Sequence, residues 1–325
     1  MAEVARGSDD DITEGILHCS NPGCRREYPI IDGIPLIIGP LRDFVAENIQ
    51  WLTARRDLST TMESLLGDCC GPNSAFDNAR RHVSSYAWDH YGDLDPDEPE
   101  RPEDHALRPG SALRVLDAAA ELLGGDLAEA LPDGPIIDLG CSTGRTAQAL
   151  AERTGRTVLG VDLHIPSVRL AAAVMRDGVV SYPRRRLGLV YDRRQFAADL
   201  PRRDHVDIWV CDAAALPFDS ETFAACVGLN LLDSVNSPID LLRSMNRILK
   251  DDGVAIMASP YEWTEQVTPI AAWVGGHSQR GDDRGSSATI VRQLLTPGAL
   301  PSSVDRLQLV GEAEEVPWHV RTHER

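Results

Sequence analysis

Residues 135–146, PIIDLGCSTGRT, place a buried strand, an acidic residue, a turn of small residues and the start of a helix in immediate succession. Glycines at 140 and 144 let the backbone pass close to a ligand, and the following helix offers unpaired N–H groups. Beyond this point, TVLGVDL, VDIWVCDA, FAACVGLN and VAIMASP predict four more strands, with helical periods between several of them. Strands that alternate with helices form parallel sheets covered on both faces, so we expect an α/β fold.

Two segments of different character precede this region. Residues 14–39 alternate short apolar runs with turn residues, and YPIIDGIPLI predicts two strands around an Asp32-Gly33 turn. Residues 40–131 have a helical period that is broken by an acidic, proline-rich stretch at 92–110, which predicts an exposed loop. We therefore expect a small β-rich module at 1–39, a helical lid at 40–131 and the α/β domain at 132–325. The last residues, RLQLVGEAEEVPWHVRTHE, predict an antiparallel hairpin.

Composition narrows the classes of partner. The 32 basic and 50 acidic residues give a net charge of −18, which repels nucleic acid and anionic lipid, although Arg184, Arg185 and Arg186 form a local basic run. The longest apolar runs are too short to span a bilayer, and the acidic N-terminus does not resemble a targeting signal. The seven cysteines are odd in number and several lie in predicted strands. We expect a reduced, cytoplasmic protein that binds neither nucleic acid nor membrane, and the oligomeric state stays open.

Two acidic residues indicate the kind of ligand. Asp162 ends the second predicted strand about twenty residues after the glycine turn, where a carboxylate can accept both ribose hydroxyls of a nucleoside. Asp212 ends the third, where it can accept a hydrogen bond from an adenine amino group. Dinucleotide-binding folds use a similar glycine turn, so the turn alone leaves the cofactor open.

In this order the motifs of residues 135–263 resemble those of class I S-adenosylmethionine (SAM)-dependent methyltransferases. The resemblance implies an enzyme with a Rossmann-like, seven-stranded sheet that ends in an antiparallel hairpin, which the predicted terminal pair favours over a nicotinamide-binding enzyme. Ser142 replaces the third glycine of the family's first motif, which a negative φ would permit. By resemblance, the cofactor-binding residues are Asp138, Gly140, Ser142, Gly144, Asp162, Leu163, Asp212, Ala213 and Asn230.

The N-terminal stretch LHCSNPGCRREYPIIDGIPLII resembles the small zinc-ribbon-like activator proteins that accompany some tRNA and protein methyltransferases. A closed structural zinc site needs four ligands, and this stretch supplies only Cys19 and Cys24. We therefore expect a metal-free module that packs in cis on the methyltransferase.

The loops after the fourth and fifth predicted strands resemble a narrower group, the mercaptohistidine N-methyltransferase domains of ovothiol biosynthesis. The shared features are Asn230-Leu231-Leu232-Asp233, Ser259-Pro260-Tyr261 with Trp263, Thr268-Pro269, Trp273 before two glycines, and Trp318 to Arg321. This resemblance implies N-methylation of a histidine-derived thiol-imidazole or of a similar azole or amino-acid metabolite.

Methyl transfer from a sulfonium requires a desolvated and oriented nucleophile. A carboxylate, phenol or imidazole can orient the other ring proton of an imidazole acceptor, so the catalytic candidates are Asp233, Tyr261 and His277. Arginines can clamp a substrate carboxylate, and aromatic rings can enclose a cation. The substrate-binding candidates are His90, Tyr91, Glu262, Trp263, Trp273, Arg280 and Arg321.

Two other functions remain open at this point. One is an RNA or protein methyltransferase with its activator module in cis, which the net charge of −18 and the lack of an NPPY-type tetrapeptide after the fourth strand disfavour. The other is a non-catalytic SAM-binding protein, which would lack polar groups beside the methyl group.

Overall fold

The computed structural model describes residues 2–8, 10–99, 108–277, 279–313 and 315–323. Within these ranges the strands are β1 (Ala2–Ser8), β2 (Asp11–His18), β3 (Glu27–Ile31), β4 (Ile34–Ile37), β5 (Ile136–Leu139), β6 (Val158–Asp162), β7 (Val179–Leu187), β8 (Val190–Ala197), β9 (Val206–Cys211), β10 (Phe223–Leu229) and β11 (Leu249–Ala258). The α-helices are α1 (Leu41–Leu52), α2 (Thr60–Cys70), α3 (Ala75–Tyr91), α4 (Ser111–Leu122), α5 (Leu127–Ala130), α6 (Arg145–Thr154), α7 (Ile165–Asp177), α8 (Pro238–Ile248) and α9 (Ser287–Leu294).

A parallel sheet in the order β4-β9-β6-β5-β10-β11 forms the centre of the fold. All four residues of β5 are buried, because helices and loops cover both faces of the strand. The strand therefore reads as an unbroken apolar run that only Asp138 interrupts. The predicted mixed α/β fold with a central parallel sheet is confirmed.

The N-terminal strands belong to the same sheet. Strands β1, β2, β3 and β4 pair antiparallel in succession, and β4 then pairs parallel with β9 through Leu36 opposite Val210 and Ile37 opposite Cys211. Ile34, Leu36 and Ile38 are buried in the apolar cluster that also contains Val210. In the described part of the chain the sheet has nine strands, not the expected seven, because these N-terminal strands extend it.

The predicted C-terminal hairpin is wrong for the residues that the structure describes. Residues 301–313 and 315–323 contain no strand and lie partly on α3 and α4. The Ser85 hydroxyl donates to the Arg321 carbonyl at 2.8 Å, and the His319 N–H donates to Ser111 Oγ at 3.0 Å. These backbone groups therefore find side-chain partners on helices, so the alternating pattern does not produce a ladder.

An antiparallel hairpin does occur, at β7 and β8, and it fastens the helices that precede the domain. The Arg185 N–H donates to Ser84 Oγ on α3 at 2.9 Å, and the Tyr191 hydroxyl donates to Asp77 Oδ1 at 3.0 Å. Arg194 forms an ion pair with Asp95, just beyond α3. The β7–β8 hairpin therefore helps to hold α3 in place.

The basic run at the tip of β7 is not an open cationic patch. Arg184 forms a two-pronged ion pair with Asp192 on β8, with both N···O distances at 2.9 Å, and Arg186 lies 3.6 Å from the same carboxylate. A carboxylate in this position lowers the attraction of the run for phosphate. None of the helices in the described ranges is long and apolar enough to cross a membrane.

We expect Leu36→Ala to lower the free energy of unfolding by about 2–5 kcal/mol, because it leaves a cavity where the N-terminal strands join the parallel sheet. Urea unfolding of the whole protein measures this change. Leu187→Ala is the matched control, since Leu187 is 66% exposed at the hairpin tip and its loss costs little. Equal effects of the two substitutions would contradict the burial of β4 in the common core.

Candidate active site

The turn between β5 and α6 adopts a backbone that few residues tolerate. Gly140 and Gly144 have φ of 68° and 91°, and a Cβ at Gly140 would lie 2.8 Å from Leu231 Cδ1. Ser142 also has a positive φ, 48°, so the expected negative value is wrong. Its N–H donates to Asp162 Oδ2 at 2.9 Å, which helps to hold this left-handed residue in place.

Three polar atoms at this turn are buried and lack a hydrogen-bond partner in the described structure: Asp138 Oδ2, Ser142 Oγ and Thr143 Oγ1. Such atoms cost about 1–3 kcal/mol each unless something else pairs with them. Burial, with a smaller contribution from the charge of Asp162, raises the pKa of Asp138 well above its usual range. A carboxyl group and two hydroxyls fit a ligand that carries an ammonium group and a carboxylate, as the methionine part of SAM does.

Asp162 links the turn to the next strand. Its carboxylate accepts from the Ser142 N–H at 2.9 Å and from the His164 N–H at 2.8 Å. Burial raises the pKa of Asp162, whereas these backbone hydrogen bonds lower it. Leu163 follows and is 43% exposed, so its side chain offers apolar surface to a ligand beside the carboxylate.

The remaining predicted cofactor residues lie at the same edge of the sheet. Asp212 and Ala213 follow β9, and Asp212 Oδ1 accepts from the Ala214 N–H at 2.9 Å. Asn230 follows β10 with a φ of 52°, and its N–H donates to the Ala258 carbonyl at 2.8 Å. Because the strands are parallel, their carboxyl ends form one crevice, where ligands bind in folds of this type.

The C-terminal end of α3 is attached to the glycine turn. The Arg145 N–H donates to His90 Nδ1 at 3.3 Å, and the Tyr91 hydroxyl donates to the Thr143 carbonyl at 2.6 Å. Burial, together with the charge of Arg145, lowers the pKa of His90 to about 3, so this imidazole is neutral. The structure therefore attaches His90 and Tyr91, which were predicted to contact substrate, to the turn as its supports.

Sequence reasoning missed two rings near Tyr86, those of His82 and His164. The ring centroid of His82 lies 4.5 Å from that of Tyr86 and 4.3 Å from that of His164. His82, Tyr86 and His90 follow one another at intervals of four residues on α3, so they share one face of the helix. That spacing was the available signal, and a histidine two residues after Asp162 was the second.

The loops after β10 and β11 are joined through Asp233, which is buried. Asp233 Oδ1 accepts from the Ser259 hydroxyl at 3.2 Å, and Oδ2 accepts from the Glu262 N–H at 2.6 Å. Tyr261, between these two donors, has a φ of 57° and packs against the neighbouring apolar cluster. Burial raises the pKa of Tyr261, so its phenol is neutral at ordinary pH. The Glu262 side chain is exposed.

Trp263 and Trp273 stack in this region with their ring centroids 6.3 Å apart. Each indole N–H is already used within the chain: Trp263 donates to Ser287 Oγ at 2.9 Å, and Trp273 donates to the Thr268 carbonyl at 2.7 Å. The two tryptophans can therefore contact a ligand through the faces of their rings.

Three predicted residues lie elsewhere. His277 and Arg280 are exposed on the loop beyond Trp273, and His277 Nδ1 lies 2.8 Å from the Gly275 carbonyl oxygen. Arg321 contacts both carboxylate oxygens of Glu98, at 2.9 and 3.0 Å, and lies over the Trp88 ring at 4.3 Å. Its guanidinium therefore fixes the C-terminal segment on α3, a role that the sequence did not indicate.

The described residues include no group of three or more His, Cys, Asp or Glu side chains that could hold a metal ion. Cys19 and Cys24 are both free thiols. A backbone hydrogen bond at Arg26 and then the Cys19 side chain lower the pKa of the Cys24 thiol.

Residues 137–257 match a family model described as a methyltransferase domain. No curated protein matches the chain. Solved structures with some likeness include the [4+2]-cyclase SpnF, at 20% identity over 58% of this chain and 56% of that chain, with a TM-score of 0.36. A geranyl diphosphate C-methyltransferase from Streptomyces coelicolor A3(2) is 26% identical over 45% of this chain and 46% of that one, with a TM-score of 0.33.

A complex of the Haloferax volcanii Trm112 methyltransferase activator with a methyltransferase gives 19% identity over 45% of this chain and 58% of that one, with a TM-score of 0.29. Matches to the first solved structures span about half of their length, from 44% to 53%. None of the three TM-scores reaches 0.5, so these likenesses bear on neither substrate nor partner.

The family match covers β5 to β11 except for one residue at each end, together with the glycine turn and both acidic strand ends. The unpaired polar atoms at the turn suit the methionine part of SAM. Residues 137–257 therefore form a methyltransferase domain of the SAM-dependent kind, with SAM as its cofactor.

Proposed function

We propose that the protein transfers the methyl group of SAM to a nitrogen atom of a small molecule, an azole or amino-acid metabolite of which a histidine-derived thiol-imidazole is the first candidate. The observation that carries the small-molecule part is the construction of the crevice. The crevice lies between the glycine turn, α3 and the loops after β10 and β11, which Asp233 holds together. Buried carboxylates and aromatic rings line it. Such a crevice suits a compact acceptor.

The distribution of charge supports this acceptor over a nucleic acid. The chain has a net charge of −18, and the basic run on β7 faces the carboxylate of Asp192. Phosphate backbones bind through arginine and lysine side chains that release counterions. Arginines already paired with carboxylates contribute less to such binding.

For the cofactor, we propose that Asp138, Ser142 and the backbone of residues 140–144 hold the methionine part. Asp162 then takes the ribose, while Leu163, Asp212, Ala213 and Asn230 surround the adenine side of the crevice. SAM supplies the electrophilic methyl group. The unpaired oxygens at the turn are the support for the first part of this assignment.

For the acceptor, we propose that the chain acts mainly by positioning and by excluding water. Asp233 fixes the loop that carries Tyr261 and Trp263, and both of its carboxylate oxygens are committed to that loop. Tyr261 and the faces of Trp263 and Trp273 then form the wall against which the acceptor lies. An oriented and desolvated nitrogen lone pair is what this displacement requires most.

Methyl-labelled SAM, incubated with the whole protein and a panel of substrates, tests the proposed function. The panel contains histidine thiols, other azoles, amino-acid metabolites, tRNA and protein. We expect label in a small molecule, bound to nitrogen. Label only in tRNA or protein would contradict the small-molecule proposal, and label on carbon or oxygen would contradict N-methylation.

Asp138→Asn is expected to weaken SAM binding about 10- to 100-fold, because a hydrogen bond to a charged group contributes roughly 1.5–3 kcal/mol. The same substitution is expected to raise the Tm of the ligand-free protein at pH 7. The pKa of Asp138 is raised in the folded state, so the wild type loses stability as pH rises from the usual aspartate range through that raised value. An asparagine does not ionise and escapes this loss.

Calorimetric titration with SAM and thermal unfolding between pH 4 and 8 measure the two effects. Asp252→Asn, at an exposed position of β11, is the matched control and should change neither. A Tm at pH 7 below that of the wild type, or unchanged SAM affinity, would contradict the assignment of Asp138.

Asp233→Asn is expected to release the Glu262 N–H or the Ser259 hydroxyl and so loosen the loop that faces the acceptor. Once an acceptor is known, its KM should rise by about tenfold, since a charge-assisted hydrogen bond is lost, while the Kd of SAM changes little. Asp219→Asn, also exposed, controls for the loss of one charge. A loss confined to SAM affinity would place Asp233 on the cofactor side instead.

A further inference from the structure

Contacts with other elements fix both ends of the face of α3 that lies over the crevice. At one end, His90 Nδ1 accepts from the Arg145 N–H, the first residue of the helix after the glycine turn. At the other end, the ring of His82 lies 4.3 Å from the ring of His164, and the backbone N–H of His164 donates to Asp162 Oδ1. The helix thus runs from the turn that suits the methionine part of SAM to the carboxylate that suits its ribose.

Tyr86 lies midway between these two ends. Its ring centroid is 4.5 Å from that of His82 and 6.1 Å from that of His90. Four residues of an α-helix cover about 6 Å along the axis, so Tyr86 lies roughly that far from each fixed end. In SAM the sulfonium joins the methionine chain to the ribose, which places it opposite the middle of this face.

The electrostatic surroundings of Tyr86 agree with this position. Burial, followed by the negative charges of Asp162, Asp89, Asp233 and Glu262, raises the pKa of the Tyr86 phenol. Asp162 lies on the cofactor side, whereas Asp233 and Glu262 belong to the loops that face the acceptor. Tyr86 therefore lies where both sides of the crevice act on it, and a cation is favoured there.

We infer that Tyr86 contacts the transferring methyl group and its sulfonium, with the phenol oxygen as a hydrogen-bond acceptor and the ring as a cation-favouring surface. The inference rests on the proposed placement of the cofactor in this crevice. In the sequence Tyr86 belongs to an aromatic cluster with Trp88, His90 and Tyr91, of which only His90 and Tyr91 were predicted to contact substrate. The neighbouring imidazoles serve as packing for its ring, since burial lowers the pKa of both His82 and His164 and keeps them neutral.

Three ligands test the inference without knowledge of the acceptor: SAM, S-adenosylhomocysteine, and sinefungin, which carries an ammonium group at the position of the methyl. Their Kd values are measured by calorimetric titration of the whole wild-type protein and of Tyr86→Phe. The substitution should raise the Kd of sinefungin by about tenfold or more, because a hydrogen bond to a charged group is lost. The Kd of S-adenosylhomocysteine should change by less than about twofold, because that ligand carries no charge at this position. Tyr86→Leu should raise the Kd of SAM as well, because it removes the aromatic ring.

Tyr28→Phe, on β3, is the matched control and should leave all three affinities unchanged. Equal weakening of all three ligands by Tyr86→Phe, or no weakening of sinefungin, would overturn the inference, and an unchanged Tm shows that the variant is folded. A wild type that binds none of the ligands would overturn it together with the cofactor site. Label transfer to a macromolecule would contradict the proposed function but would leave these Kd differences unchanged. Failure of the proposed function can therefore be distinguished from failure of the inference about Tyr86.

Discussion

The whole crevice depends on how the turn at residues 140–144 is held. The N–H groups of Gly140 and Cys141 both donate to the Val161 carbonyl, at 2.8 and 3.0 Å, and the Ser142 N–H donates to the Asp162 carboxylate. From the other side, the Tyr91 hydroxyl donates to the Thr143 carbonyl. Strand β6 and helix α3 therefore fix the same five residues, and a displacement of α3 would disturb the cofactor side and the cover of the crevice together.

This turn collects features that lower stability elsewhere in proteins. A serine at positive φ, two unpaired hydroxyls and a buried carboxyl lie within five residues of one another. Each costs of the order of 1–3 kcal/mol. The adjoining strand β5 is wholly buried between β6 and β10, and this packing offsets the strain. Local departures from the rules of stable folding that are concentrated at one site are typical of a binding site.

The sequence predicted those parts of the fold that local pattern controls. The parallel strands and the glycine turn follow from apolar runs, turn residues and helix periods that are each contained in a short segment. The position of Asp162 at a strand end follows in the same way. The paths of the N-terminal strands and of the C-terminal segment depend on partners far away in the chain. β4 pairs with β9, and Arg321 finds Glu98, more than 200 residues earlier, so no local pattern could indicate either.

For the candidate site the same distinction holds. Residues at strand ends were identifiable because parallel strands bring their carboxyl ends together. Tyr86 and His82 were harder to identify, because an aromatic face on a helix usually packs in a core, and only the attachment of His90 and Tyr91 to the turn shows which way this face points. Ser142 was assigned the wrong sign of φ because its compensating partner, Asp162, is twenty residues away.

The charged groups around the crevice act together to favour a cationic ligand. Asp138 and Asp162 lie at the cofactor edge, Asp233 lies at the acceptor edge, and the imidazoles of His90 and His164 are kept neutral by burial. Arg145, the nearest arginine to the turn, donates instead to Gln148 and Asp93. For the proposed reaction, carboxylates in these positions favour the sulfonium over its neutral product and so help to release the product. They also favour an acceptor that carries an amine or azole over one that carries a phosphate.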